Sequence, residues 1–224
     1  MERTLFSDAS DSLVSALGLE DGVPASMSTF LVRKDGRLIL FDTGLGAGNS
    51  RLTAAFDALG ISADDIDCIF LTHLHGDHIG GMLKDGELVF NNAEVYVAQK
   101  EYDGWTAMPQ EQNGQVVKTM GLYIERLHLF TEDESLPYGI RQIAAYGHTP
   151  GHTIYQIGKL LIVGDIMHGT ALQIPHPEIC ANFDMDKPAA IESRIMILEY
   201  AMKNGLTMAG MHFPEPAFIT PDSK

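Results

Sequence analysis

Cysteine is nearly absent: the 224 residues include only Cys68 and Cys180. Two thiols cannot build a disulfide framework or a cysteine-rich zinc cluster. Cys68 falls in the apolar run Ile66-Asp67-Cys68-Ile69-Phe70-Leu71, where a small hydrophobe packed in a core is expected. Neither cysteine is assigned a catalytic role. Positive charge is scarce as well, with 15 Lys+Arg against 30 Asp+Glu and a formal net charge of −15. A surface of that sign repels phosphate backbones and anionic lipid, so neither nucleic acid nor a membrane is expected as a partner. No apolar run reaches the roughly 18 residues that a spanning helix needs. The opening Met1-Glu2-Arg3-Thr4-Leu5-Phe6 lacks the apolar stretch of a signal peptide. A signal removed ahead of residue 1 would leave no trace, so cytoplasmic and periplasmic or exported locations both stay open. Low-complexity tracts and linkers are missing too.

What is present is ordinary globular composition, 45% hydrophobic and 20% charged, with 22 glycines. The length suits one domain over residues 1–224. Strand-like and helical patterns alternate, which predicts a layered α/β fold. Residues 29–33 and 37–41 flank Lys34-Asp35-Gly36 as a hairpin with an Asp-Gly turn. Residues 51–59 have helical apolar spacing, and Gly60 stops them. A buried strand is expected over 66–72, with further strands over 94–98, 127–130 and 140–145. Helical segments are expected over 100–105 and 115–125. Residues 153–157 and 160–163 pair across Gly158-Lys159. The clearest helix is 188–204: Pro188 suits its first turn, Asp186 its N-cap, and apolar residues recur at Ile191, Ile195, Leu198 and Met202 before Gly205. Residues 207–210 form a last short strand leading to His212. The two halves share an order of strands, metal-type loop and helix, as a duplicated unit would.

The chemistry concentrates in Thr72-His73-Leu74-His75-Gly76-Asp77-His78-Ile79-Gly80-Gly81. In an extended segment His73 and His75 point the same way. Gly76 then allows a sharp turn, so Asp77 and His78 can face a second point nearby. One loop can thus serve two metal positions. Imidazole nitrogen and carboxylate oxygen suit zinc best, while iron and manganese accept the same donors. Three later groups also sit at strand ends, where α/β folds gather their sites. His148 lies in the turn Gly147-His148-Thr149-Pro150-Gly151, Asp165 follows the apolar strand ending Val163-Gly164, and His212 follows Ala209-Gly210-Met211. An aspartate such as Asp165 is costly to bury unless paired or metal-bound.

This run, with the order of the later ligands, resembles the signature of the metallo-β-lactamase superfamily over nearly the whole chain. The resemblance implies an αββα sandwich of two mixed β-sheets flanked by helices, holding two divalent metal ions. By the same resemblance His73, His75 and His148 hold one ion, Asp77, His78 and His212 the second, and Asp165 bridges both. Within the superfamily the chain is most similar to methyl parathion hydrolase and its lactonase-like relatives. The supporting stretches are Ala98 to Trp105, Gly147 to Thr153, Gly164 to His168, Ala171 to Pro175 and Ala209 to Pro214. Only 12 residues follow His212, so a shortened last strand or loop is expected there.

The implied activity is hydrolysis of a small-molecule ester, lactone or phosphotriester by a metal-bridging hydroxide, with ions roughly 3.5–4 Å apart. Asp77 both binds metal and orients the nucleophile or shuttles a proton. Asp42 is the candidate partner of a ligand histidine, with a turn role as its alternative. His168 and Trp105 are candidate substrate contacts, each with a structural role as its alternative. Phe90, Met108 and Met120 could line the same apolar mouth. His152, His128 and His176 receive structural or surface roles. Relatives of this branch are often homodimers. Alternatives on the same fold are an iron-dependent oxidoreductase of the persulfide-dioxygenase type, and another hydrolase branch such as a β-lactamase. The common β-lactamase type, however, carries cysteine where Asp165 stands, and the full second-metal set argues against a one-iron enzyme. A catalytically silent scaffold is disfavoured because all seven ligands are in place.

Overall fold

The computed structural model describes residues 1–46, 48 and 50–221. It divides into two compact units: Thr29–Gly139, here the inserted unit, and Met1–Ser28 with Ile140–Lys224, the flanking unit. The flanking unit begins with α1 (Asp11–Ala16), capped by the Ser10 hydroxyl, which accepts from Leu13 N–H at 3.2 Å. Phe6, Val14, Leu19 and Val23 of this segment cluster with Leu172, Ile179 and Ala181.

The inserted unit opens with the hairpin of β1 (Phe30–Lys34) and β2 (Arg37–Phe41), whose turn places Asp35 and Gly36 at positive φ as an Asp-Gly turn requires. Next come α2 (Leu52–Leu59), ended by left-handed Gly60, then β3 (Cys68–Phe70) and α3 (Gly76–Ile79). The two-residue strands β4 (Leu83–Lys84) and β5 (Glu87–Leu88) pair with each other. β6 (Glu94–Ala98), α4 (Gln99–Thr106), α5 (Gln110–Leu122) and β7 (Leu127–Phe130) complete the unit. The sheet order is β1-β2-β3-β6-β7, antiparallel in the first pair and parallel in the rest.

Strand alternation sorts this sheet's side chains. Leu38, Leu40, Ile69, Val95 and Val97 share a core with Phe56, Trp105, Val116 and Met120. On alternate positions the register partners Phe41, Phe70, Tyr96 and His128 stack successively, with centroids 5.6, 4.6 and 4.6 Å apart. The helical region predicted to begin near residue 115 starts at Gln110, apart from α4. Pro109, at the α5 N-cap, separates the two, and Asn113 Nδ2 donates to Met108 O at 2.8 Å across the break.

The flanking unit continues with β8 (Arg141–Ala144), β9 (Thr153–Ile157), β10 (Leu160–Gly164), α6 (Thr170–Gln173), α7 (Lys187–Asn204), β11 (Thr207–Gly210) and β12 (Phe218–Ile219). Its sheet runs β12-β11-β10-β9-β8, with only β10–β11 parallel. α7 is capped as its sequence predicts: Asp186 accepts from Ala189 N–H at 3.2 Å, and Gly205 is left-handed. Its buried side differs from its apolar row. Ala190, Ser193, Arg194, Ile197 and Ala201 are buried, while Ile195 and Met202 are 38% and 71% exposed. Small residues admit close packing on one side, and Arg194 is turned inward by fixed acceptors described below. Among the described residues no helix is long and apolar enough to cross a membrane.

Candidate functional site

In the inserted unit the ladder of β3 stops at Phe70, and the chain passes through Leu71 and Thr72 to His73 and His75 before turning into α3, whose first turn holds Asp77. His73 Nε2 lies 3.0 Å from His75 Nδ1. Two imidazole nitrogens that close either share a proton or converge on a cation. Asp77 and His78 likewise bring ligand atoms within 4.8 Å of each other. Asp42, just past β2, takes a left-handed backbone (φ +57) that few non-glycine residues adopt. From there its carboxylate accepts from Thr72 N–H and Thr72 Oγ1–H, both at 2.8 Å, and from His78 Nδ1–H at 2.9 Å. With Nδ1 donating, the lone pair of His78 is on Nε2. Thr72 Oγ1, its hydrogen given to Asp42, accepts from His73 Nδ1–H at 3.1 Å, which puts the His73 lone pair on Nε2 in the same way.

The trailing Gly80-Gly81 has a steric reason. A Cβ on Gly80 would stand 2.2 Å from Leu45 O, and one on Gly81 2.2 Å from Thr43 O. This close approach is sealed by Thr43 N–H to His78 O at 2.8 Å and Gly81 N–H to Gly44 O at 3.0 Å. The loop carrying Asp42 is thereby locked to the one carrying His78.

In the flanking unit Asp165 is the hub. β10 has a register irregularity between Ile162 and Gly164, which re-aims the residue that follows. Asp165 is 2% exposed, and its N–H donates to His152 Nε2 at 3.0 Å. Asp165 Oδ2 lies 3.2 Å from His168 Nε2, 3.2 Å from His212 Nε2 and 3.4 Å from His148 Nε2. The outer nitrogens of two of these rings are tied elsewhere. His212 Nδ1–H donates to Ser26 O at 3.1 Å, and His148 Nδ1–H to Asp184 Oδ1 at 3.0 Å. Gly147 sets the His148 turn, because a Cβ there would stand 2.0 Å from Ala190 N at the start of α7.

Asp184 is itself held by Arg194, whose Nη2 donates to Asp184 Oδ2 at 3.1 Å. The other Arg194 donors go to Ile166 O, Pro177 O and Ile179 O at 2.8, 2.6 and 3.0 Å. Burial alone would raise the Asp184 carboxyl. The His148 hydrogen bond and the charges of His148, His168 and Arg194 overcome that and hold it at about 2. Burial pushes His148 down, but Asp165 and Asp184 together raise it; for His168 burial wins and lowers it.

Of the residues singled out in the sequence, His73, His75, Asp77, His78 and Asp42 assemble in the inserted unit, and His148, Asp165, His212 and His168 in the flanking unit. Trp105 and His168, expected at a substrate mouth, are 6% and 1% exposed. Trp105 packs edge-to-face on His75 with centroids 5.3 Å apart, and His168 stacks on His212 at 5.1 Å. Phe90 and Met120 lie fully inside the core of the inserted unit. Asp184, Arg194, Thr72 and Ser26 were not singled out. Their roles depend on contacts between remote segments or on a backbone atom, and no local pattern marks them. His148, His168 and Asp184 also form a buried cluster of potential ligand atoms within 4.8 Å of one another.

Each unit thus gathers imidazole and carboxylate groups of the kind that hold a divalent metal ion, and the comparisons with known proteins point to a metallo-hydrolase superfamily. Residues 23–178 match the family model of the Metallo-beta-lactamase superfamily, and the chain belongs to that superfamily. Its mixed α/β fold, with mixed sheets and flanking helices, is the fold of this family. The chain is similar to the probable metallo-hydrolase YybB of Bacillus subtilis (strain 168), 26% identical over 171 residues, covering 75% of this chain and 74% of the relative. Four further curated relatives align over less than half of their own length. Among solved structures, hydrolase AbOPH of the beta lactamase superfamily superposes with a TM-score of 0.88 at 30% identity, over 98% of this chain and 85% of that one. AidC, described as a dizinc quorum-quenching lactonase, superposes with a TM-score of 0.87 at 26% identity, over 97% and 85%.

Proposed function

We propose that this protein is a dinuclear metal-dependent hydrolase that cleaves an ester, lactone or phosphotriester bond of a small molecule. In this reading His73, His75, Asp77, His78, His148, Asp165 and His212 would hold the two divalent ions. The observation that carries it is the Asp165 carboxylate: one buried oxygen with the Nε2 atoms of His148, His168 and His212 at 3.2–3.4 Å. A buried carboxylate shared among imidazoles, two with their outer nitrogens already committed, fits a borderline divalent cation, zinc before iron or manganese.

Bound ions would supply Lewis-acid activation of water and of the substrate carbonyl or phosphoryl oxygen. The chain's own groups do the rest. Asp42, Asp184 and the Ser26 carbonyl each accept a hydrogen bond from Nδ1–H, of His78, His148 and His212 respectively, and so fix the tautomer that presents Nε2. Asp77, partly exposed at the start of α3, takes the proton of the attacking water and delivers it to the leaving oxygen. His168 Nε2–H donates to Asp165 Oδ2 and shares its charge, while burial keeps the imidazole neutral. The AidC lactonase neighbour supports lactones as the first substrates to try, and the lactonase and methyl parathion hydrolase-like branch is part of this proposal.

The test is metal analysis of the purified protein, followed by a hydrolysis screen of zinc, manganese and cobalt forms over lactones, aryl esters, phosphotriesters and β-lactams. Two ions per chain are expected, with chelator-sensitive turnover of at least one of the first three classes. A His75→Ala/Asp77→Ala double variant that kept wild-type turnover would overturn the reading.

A further inference from the structure

Glu101 is fully buried in α4, in the core of the inserted unit, where a carboxylate is costly unless donors surround it. Its Oε1 accepts two hydrogen bonds, from Leu74 N–H at 2.9 Å and from Trp105 Nε1–H at 2.7 Å. Both donors bear on the same pair of histidines. Leu74 is the residue between His73 and His75, and it lies beyond the end of the β3 ladder at Phe70, so among the described residues no strand partner holds its amide. Trp105 sits one helical turn after Glu101, and its indole meets the His75 ring edge-to-face, 5.3 Å between centroids at 83°.

We propose that Glu101 is a positioning residue for the His73/His75 pair, with Trp105 as its second arm. The carboxylate pins the peptide between the two histidines, and the indole it orients fixes the plane of the His75 ring. A backbone tether at Leu74 keeps both rings on one side, with His73 Nε2 and His75 Nδ1 3.0 Å apart. This rests on the dinuclear reading, because positioning matters only if that pair holds an ion. It gives Trp105 a task different from lining a substrate mouth, and gives a task to a buried acid that no ligand signature includes.

The experiment compares holoprotein of the wild type, Glu101→Gln, Glu101→Leu and Trp105→Phe by metal stoichiometry, by chelator competition and by the melting temperature of the metal-free form. Glu101→Leu is expected to hold one ion per chain firmly and the other ~10–100-fold more weakly. Glu101→Gln, whose amide oxygen can accept both bonds, is expected to keep both ions, and Trp105→Phe to weaken the same single ion by less than Glu101→Leu. A readout that needs no variant is amide hydrogen exchange of metal-free wild type, where Leu74 should be protected although it lies outside the ladder. Two ions at wild-type affinity in Glu101→Leu, an equal loss of both ions that tracks a fall in metal-free melting temperature, or a freely exchanging Leu74 amide would each overturn the proposal. A wild-type chain that binds no metal would overturn the dinuclear reading, and this inference with it.

Discussion

The inserted unit carries four candidate ligands within residues 73–78, and the carboxylate beside them, Asp42, receives neutral backbone and hydroxyl donors besides His78. The flanking unit draws His148, Asp165 and His212 from three separate segments, and the carboxylate behind His148 is tied to the buried cation of Arg194. One set is local and rigid because loops close tightly on glycines. The other is assembled, and its geometry depends on a charged group that also gathers the carbonyls of Ile166, Pro177 and Ile179. Ligand geometry and fold stability should therefore be separable in the inserted unit and coupled in the flanking unit.

The largest effect should come from the residue on which the flanking set converges. Asp165→Ala is expected to lower metal content at both positions and to cut hydrolysis by on the order of 10³. Retention of two ions at full affinity would break the idea that this carboxylate is shared.

The contrast between the units is sharpened by truncating their two supporting carboxylates. Asp184→Ala strands the buried Arg194 guanidinium and should destabilise the metal-free protein by about 3–5 kcal/mol in urea unfolding. Asp42→Ala leaves only neutral donors unpaired and should cost about 1–3 kcal/mol. Both should weaken metal binding by ~10–100-fold. Equal stability losses would mean that the two supports are alike after all.

The smallest effect concerns the stacked ladder of the inserted unit. Burial pushes the Tyr96 phenol up to about 12, with Cys68, Tyr138 and Glu94 adding to the shift. The unfolded chain ionises near the ordinary value of 10 while the folded one still holds its proton. The folded state therefore binds more protons between those values, and stability falls as pH rises through that window. Tyr96→Phe should flatten this alkaline slope in unfolding experiments from pH 10 to 12, without changing stability near neutrality by more than a small amount.

Much of the fold was readable because local signals agreed with packing. The Asp-Gly hairpin, the Asp186 cap and the Gly60 and Gly205 stops appear where the residues place them. α7 shows where that reading fails. Its apolar row at Ile195 and Met202 is exposed, while Arg194 is buried, because four fixed acceptors outweigh the helix's own pattern. The candidate ligands were legible from chemistry alone, since imidazole and carboxylate at strand ends are costly to keep without a purpose. Asp184 and Glu101 were not, because an aspartate or glutamate in a sequence does not reveal which remote N–H or ring it will meet.

The sequence by itself determined the α/β order of elements, the family signature and the identity of the candidate ligands, because residue type and short-range spacing encode those directly. Tertiary structure alone decided which imidazole nitrogen donates to its support, which acid supports which histidine and which side of α7 is buried. Those outcomes follow from hydrogen bonds and steric contacts between segments far apart in the chain, whose meeting no local pattern specifies.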